Sequence, residues 1–438
     1  MHAEILAPPG APGWVFDRNA LWNRVEAREH RKDSQLARSI EISLPLELTP
    51  EANLALVREY LEQEFVSKGM VADFCIRRTN PENPQVLILL TLRETTQSGF
   101  GPKVRQWNRK TNLLYWRSAW AERANLHLAR AGHTVRIDHR TLEAQHIELA
   151  PARRIGLGPG SQRAQPAAPH MEQRLAEQHR IATENGAAIL EDPAVAIRAL
   201  AQHRRTFCRE DVIAFLRSRT GDAEQFDAAL QAVMESPELV PAMPLRGNQP
   251  QFTSRDMIEA EKSLVRRAAA MANRRGHAGS SGSDTPNSGD VLAYLINSGD
   301  FCVITATGLA DSSRLAGAAR QAWTAAGLRV ICAASSASTA RQLDAASGIK
   351  WCELSILEPQ WLQGDDTLTK NDVLVVDRAE MIDLKQLERL LAIAERARAK
   401  IVLIGDSQQL RAMGAASPLT GLIGAGRPTM PTVAADKD

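Results

Sequence analysis

The chain lacks the features that would place it in a membrane or outside the cell. No run of 18 apolar residues occurs in its 438 residues, which excludes an ordinary membrane-spanning helix. Met1 to Gly13 has no basic start followed by an apolar core, so no secretory leader is expected. The five cysteines, Cys75, Cys208, Cys302, Cys332 and Cys352, stand singly without a C-x-x-C pair, and reduced thiols in a cytoplasmic chain are the expectation. Ten histidines form neither H-E-x-x-H nor H-x-H spacing, so no metal site is read from them. An excess of one charge is missing too. With 53 Lys and Arg against 51 Asp and Glu, the net charge of +2 points to no particular partner. What is present is 44% hydrophobic content, enough for the cores of two or three domains.

The most legible stretch is Asn371 to Met413. Asp372–Asp377 and Lys400–Asp406 are apolar runs ending in carboxylates, and both read as buried parallel strands. Between them Leu384, Leu387, Leu390, Leu391 and Ala394 recur at helical spacing, so the unit is strand, crossover helix, strand. Upstream, Phe301–Thr305 reads as a first strand, Ala306–Asp311 as its loop and Ser312–Ala326 as a helix; Leu328–Ala333 and Ser338–Ala346 repeat the alternation. Such an order predicts a parallel sheet covered on both faces, with Asp377 and Asp406 at its carboxyl edge.

The block Gly405-Asp406-Ser407-Gln408-Gln409-Leu410 resembles the γ-phosphate-sensing motif of superfamily 1 DNA helicases. Together with Trp323–Gly327, Ser347–Ile349 and the Asp377 strand, it makes residues 290–425 similar to the motor of TraA-type (RecD-like) conjugal-transfer helicases. The resemblance implies a RecA-like P-loop lobe, ATP and magnesium as the family's cofactors, Asp377 as the magnesium-holding aspartate and Gln409 as the phosphate sensor. It also shows what has changed. A phosphate loop needs G-x-x-x-x-G-K-[ST], whereas this chain reads Thr305-Ala306-Thr307-Gly308-Leu309-Ala310-Asp311-Ser312. Thr305 and Ala310 replace the framing glycines, Asp311 replaces the lysine, and Arg378 stands where the Walker B glutamate would orient water. At ~4 Å and an effective dielectric near 20, reversing the charge at position 311 shifts the contact by several kcal/mol per phosphate charge. No bound cofactor is therefore expected, and Gln409 is expected to cap a loop. Family members close the ATP site between two lobes, of which one is read here.

Toward the amino end, Ile40, Ile42 and Leu44 alternate with Glu41 on a strand, and Thr49-Pro50 opens a helix to Lys68, stopped by Gly69. Met70–Ile76 and Gln85–Leu92 flank a Pro/Asn turn as a hairpin. A helix from Thr111 to Ala131 follows, with Leu113, Trp116, Trp120, Ala124 and Leu128 on its inner side. Residues 1–37 read as an irregular start and a charged helical stretch from Arg18 to Arg38. From Lys103 to Arg140 nine basic residues face two acids. Lys103, Arg105, Arg109, Lys110 and Arg117, interleaved with Trp107, Tyr115, Trp116 and Trp120, suit a phosphate backbone. A solvated helix face with aromatics turned inward fits the same pattern.

His2–Pro8, Arg31–Arg38, the Glu41 strand, Met70–Asp73, Leu89–Thr91 and His139–Gln145 together resemble the MobA/MobL relaxases of plasmid mobilisation, over roughly residues 1–150. The resemblance implies an α+β domain on an antiparallel sheet that nicks DNA with a tyrosine and a histidine-held divalent metal. The family's tyrosine and first strand lie upstream of the block that opens this chain. Its metal histidines fall at Arg77, Gln85 and Leu87, and these three side chains do not assemble a metal site. Glu41 stands at the family's active-site acid, where an outward strand glutamate is the alternative reading.

The remaining boundaries follow composition. Residues 151–175 read as a linker, 176–276 as a helical connector closed by a wing-like hairpin, 277–290 as a Ser/Gly linker, and 426–438 as a Pro/Ala tail. Thr253–Glu259 resembles the segment preceding the motor in TraA-type helicases, with a plain helical spacer as the alternative. The expectation is a conjugal-transfer protein without catalysis that binds single-stranded or plasmid DNA, an intact relaxase or a transfer-apparatus protein. The alternatives are an active relaxase or ATP-dependent helicase with substituted ligands, a strand-pairing partner of an intact relaxase, and a decaying gene product.

Overall fold

A computed structural model describes residues 2–29, 31, 33–78, 83–109, 111–133, 135–145, 147–151, 168–242, 250–274, 277, 291–413, 418–419 and 422. The chain divides into two compact units. The first holds Met1–Ala131, Arg136–Thr141 and Ala150–Glu184; the second holds Gly132–Val135, Leu142–Leu149 and Asn185–Asp438.

In the first unit the elements run β1 (His2–Leu6), α1 (Arg18–Ala27), β2 (Ala37–Ser43), α2 (Pro50–Glu64), β3 (Ala72–Arg77), β4 (Gln85–Thr91), β5 (Arg93–Thr96), β6 (Gly99–Lys103) and α3 (Thr111–Arg130). The four-stranded sheet is antiparallel throughout, in the order β1-β3-β4-β2. Phe74, Ile76, Val86, Ile88 and Leu90 alternate onto one buried face. Thr49 caps α2, its hydroxyl accepting the Ala52 N–H at 3.2 Å, and Pro50 fills the first turn. Gly69 ends the segment at φ +94°. Between α2 and α3 the Tyr60 and Trp120 rings meet edge to face at 5.1 Å, and the Tyr60 hydroxyl donates to the Trp116 carbonyl at 3.0 Å.

Several expectations change. The irregular start contains β1, a five-residue strand too short for periodicity to reveal. The helix from Arg18 ends at Ala27, and Ala37 and Arg38 belong to β2. Leu113 lies on the outer face of α3, 51% exposed, whereas Trp116, Trp120, Ala124 and Leu128 are buried as the spacing predicts. The β5–β6 hairpin, which turns at Gln97-Ser98 and enters β6 at Gly99, was not anticipated, and it places Lys103 on a strand.

The chain continues with α4 (Ala168–Glu191), so the helical connector begins earlier than the linker reading allowed. In the second unit follow α5 (Ala194–His203), α6 (Arg209–Arg217), α7 (Ala223–Glu235), β7 (Leu239–Ala242), β8 (Gln251–Ser254) and α8 (Arg255–Ala272). β7 and β8 pair antiparallel, and Phe207 bridges to Phe252, so the expected wing-like hairpin closes three helices. Its tip, 243–249, lies outside the described residues, as do the linker positions 152–167, 278–290 and the tail 426–438. His277 is described: it is buried and bonds Asp300 and the Lys370 carbonyl, each at 2.7 Å.

Beyond it come α9 (Val291–Asn297), β9 (Phe301–Ala306), α10 (Leu309–Ala325), β10 (Arg329–Ala334), α11 (Ala337–Ser347), β11 (Trp351–Glu353), α12 (Leu354–Gln363), β12 (Asp372–Asp377), α13 (Leu384–Ala397), β13 (Lys400–Asp406) and α14 (Ser407–Met413). The five-stranded sheet is wholly parallel, in the order β11-β10-β12-β13-β9. Its two faces feed separate cores, one centred on Leu374, Leu387, Leu403 and α8, the other on Ile304, Trp323, Val375 and Val402. α8 therefore shares the lobe's own core. Arg267 on α8 reaches both Glu388 and Glu395 on α13, which fastens the connector to the lobe.

Candidate functional site

On the sheet of the first unit, residues paired across strands project to the same side. Ala3, Cys75, Leu87 and Glu41 form one row across β1, β3, β4 and β2, and Arg77, Gln85 and Ser43 form the next. The four sequence-derived positions Glu41, Arg77, Gln85 and Leu87 thus meet on one sheet face, opposite the core. Leu87 lies directly beside Glu41, which is exposed. Among the described residues no group of three His, Cys, Asp or Glu side chains converges as a metal site would require.

The same face holds a carboxylate that the sequence did not single out. Asp73 accepts from Arg18 Nε at 2.9 Å, Arg18 Nη2 at 2.7 Å and Trp22 Nε1 at 2.8 Å, which lays α1 over this part of the sheet. An acid inside an otherwise apolar strand was the available signal.

The basic region separates into two groups. Lys103 is held by Glu29 at 3.0 Å, Arg123 by Glu59 at 2.7 Å and Arg140 by Asp138 at 2.6 Å. Glu59 sits between His127 and Arg123, and the hydrogen bond from His127, with Arg123 beside it, holds its carboxyl down at about 2 against burial. Arg105, Arg109 and Arg117 are exposed and form no ion pair among the described residues. Lys110 lies outside the described residues. Trp116 and Trp120 are buried, so those aromatics serve the core, and Trp107 and Tyr115 are half-buried.

In the second unit the strand ends Ala306, Asp406, Asp377 and Ala334 line the carboxyl edge of the parallel sheet. The loop between β9 and α10 has only Thr307 and Gly308, although Ala306–Asp311 was expected there. Only glycine adopts the required backbone at φ +83° and ψ 179°, and Gly308 does so; Leu309, Ala310 and Asp311 then wind directly into the helix, as residues of good or tolerated helix propensity do without glycines to stop them. Asp311 falls in the first helical turn, where the helix dipole favours an anion, and it pairs with Arg314 at 3.2 Å.

Thr305, Ser312 and Asp377 are buried and Ala310 is exposed. Burial raises the Asp377 carboxyl, opposed by a hydrogen bond from Ser312 and one from the Arg378 N–H at 2.7 Å. Asp377 Oδ2 has no partner among the described residues. Arg378 holds the left-handed conformation at φ +56°, uncommon for a side-chain-bearing residue. Asp406 Oδ1 takes the N–H groups of Gln408 at 2.8 Å and Gln409 at 3.1 Å, capping α14. The Gln409 side chain is buried on that helix with Oε1 unbonded among the described residues, so it is not the loop cap expected. Glu380, which sequence reasoning passed over, is 1% exposed and accepts the Asp406 N–H; burial pushes its carboxyl up to about 8.

Residues 1–164 match the model of the MobA/MobL family, and residues 289–434 match that of an AAA domain. The chain is 31% identical over 481 residues to the conjugal transfer protein TraA of Agrobacterium fabrum, covering 97% of this chain and 43% of that protein. The chain joins a MobA/MobL domain to an AAA domain and is homologous to TraA over nearly its whole length. TraA of Rhizobium radiobacter gives the same identity over 94% of this chain and 42% of its own. Mobilization protein MobL of Acidithiobacillus ferridurans is 31% identical over 41% of this chain and 53% of its own. The chain thus spans less than half the length of the TraA relatives it matches. Its likeness runs through both units, which places a relaxase-like sheet and an AAA domain of RecA-like topology in one polypeptide. No helix among the described residues is long and apolar enough to cross a membrane.

Proposed function

We propose that this family member serves plasmid transfer by binding single-stranded DNA, without hydrolysing ATP and without metal-dependent nicking by the residues described. One observation carries the reading. The segment where an ATPase presents a glycine cradle and a lysine is here the first turn of α10, with the Asp311 carboxylate at its third position. A cradle needs backbone N–H groups splayed around a phosphate, and winding them into a helix withdraws them. A carboxylate at the same place converts an attraction of about 4 kcal/mol per phosphate charge into repulsion of similar size. Arg378 in place of a glutamate offers no acceptor to orient water. At the relaxase-like face Arg77, Gln85 and Leu87 supply an amide, an isobutyl group and a cation around Glu41, a poor set for a divalent ion.

Exposed Arg105, Arg109 and Arg117 support the DNA-binding part, since unpaired surface cations draw phosphates with a salt-dependent affinity. An ATPase assay of the full chain with and without single-stranded DNA tests the silent motor, and a fluorescence-anisotropy titration at low salt tests binding. No phosphate release together with salt-sensitive DNA binding is the expected result. DNA-stimulated turnover would overturn the first half and absence of binding the second.

A second reading rests on β1, which pairs only with β3 and so presents an open sheet edge among the described residues. Such an edge recruits a strand from a partner such as an intact relaxase. A monomer by size-exclusion chromatography after mixing with the intact relaxase counts against it.

A further inference from the structure

We infer that Arg38 anchors a phosphodiester of single-stranded nucleic acid at the junction of β2 with the turn before α3. The inference rests on the DNA-binding reading and adds a residue that reading does not contain. Strand alternation puts Arg38 on the same side of β2 as Ile40 and Ile42, so its stem leaves from the core side of the sheet. The guanidinium lies over the Trp116 ring, 5.3 Å from its centroid, and Nη2 donates to Asn108 Oδ1. Nε is buried without an acceptor, and no carboxylate pairs with Arg38 among the described residues. Glu29, which holds the same Lys103 that donates to the Gln35 carbonyl, is already taken by Arg93 and Lys103, each at 3.0 Å.

Asn108 is held in one orientation. Its Nδ2 donates to Gln35 Oε1 at 2.7 Å, while the Gln35 carbonyl accepts from Lys103 at 2.8 Å. The amide therefore turns its oxygen to Arg38, and a partly desolvated cation is positioned by a neutral group where a carboxylate would have neutralised it. Leaving a cation short of a counter-charge is costly, and burial alone already depresses the guanidinium below its ordinary range. An external anion approaching the terminal Nη groups, which Nε burial leaves as the reachable edge, supplies the missing counter-charge. A strand fits better than a free anion because Arg105 and Arg109 are exposed within the same short segment as Asn108, and half-buried Trp107 offers a ring for a base.

The test uses the full chain and a fluorescent oligothymidylate titrated by anisotropy across a series of salt concentrations. Arg38→Gln is expected to weaken binding about tenfold and to make the salt slope shallower by about 0.7, the loss of one phosphate contact on a single strand. Asn108→Asp supplies the missing carboxylate internally, so it should weaken binding comparably while leaving the melting temperature unchanged or raised; it carries the test if Arg38→Gln fails to fold. Arg130→Gln removes the same charge from the far end of α3 and should leave the slope as it is. Equal slopes for wild type and both site variants, or an Arg130→Gln effect as large as theirs, would overturn the anchor while leaving the DNA-binding reading standing. A wild type that binds no DNA at low salt ends both. Displacement of the strand by micromolar inorganic phosphate at matched ionic strength would reassign the site to the free anion and overturn the strand.

Discussion

Glu380 Oε2 accepts the backbone N–H of Asp406 across 3.1 Å, tying the turn after β12 to the end of β13. Gly405 is hemmed in beside it, since an added Cβ would stand 2.8 Å from Leu410 Cδ1, 3.0 Å from Leu419 Cδ2 and 3.5 Å from the same oxygen. The Glu380 hydrogen bond links the segment that follows Asp377 to Asp406, these two residues being the carboxylate-bearing strand ends.

The burial of Glu380 makes stability depend on pH, against the opposing pull of the Asp406 N–H. The Glu380 carboxyl is raised by burial from 4.5 to about 8, so between those values the folded chain holds a proton that the unfolded chain has released. The stabilisation is complete below about 4.5 and is lost as pH rises to about 8. Melting temperatures measured at pH 5 and pH 8 should fall for wild type and fall less for Glu380→Gln. Asp377, also raised by burial, leaves a residual slope in the variant. Identical slopes would show that the Glu380 carboxyl is not the titrating group.

Glu59 works in the opposite sense. Its carboxyl is depressed from 4.5 to about 2, chiefly by the His127 hydrogen bond, so its contribution is present above about 4.5 and is lost as pH falls toward 2. Glu59→Ala should cost about 1–3 kcal/mol at neutral pH, because Arg123, only 10% exposed, loses its carboxylate. Acid unfolding curves should be steeper for wild type than for Glu59→Gln across that window.

Gly308→Ala should destabilise the chain by about 1–3 kcal/mol, although an added Cβ meets nothing within 4 Å. The cost comes from φ +83° with ψ 179°, a backbone state that side chains oppose. Urea unfolding reads it directly, and an unchanged midpoint would mean that the two-residue turn into α10 takes another conformation.

Much of this architecture is legible in the residues because it is periodic. Asp372–Asp377 and Lys400–Asp406 are unbroken apolar strands in a doubly covered sheet, and Leu387, Leu390, Leu391 and Ala394 mark α13 without ambiguity. β1 is hidden because five residues followed by two prolines carry no pattern. The early start of α10 is hidden for another reason: a motif names where a loop ought to be, while helix propensity decides what Leu309 and Ala310 do once the glycines are gone.

The site was legible in its losses more than in its gains. Substitutions at 311 and 378 stand out against a strict pattern. Glu380, Asp73 and Arg38 acquire their meaning only from partners 26, 55 and 70 positions away, which no local reading supplies.

The central claim, that charge reversal at Asp311 and Arg378 removes nucleotide from this edge, is tested most directly by calorimetric titration. Magnesium and a non-hydrolysable ATP analogue would be titrated into the full chain and into an Asp311→Lys, Arg378→Glu double variant. The account predicts no binding heat for wild type at concentrations where the double variant begins to bind. Micromolar binding by wild type, unchanged in the double variant, would contradict it.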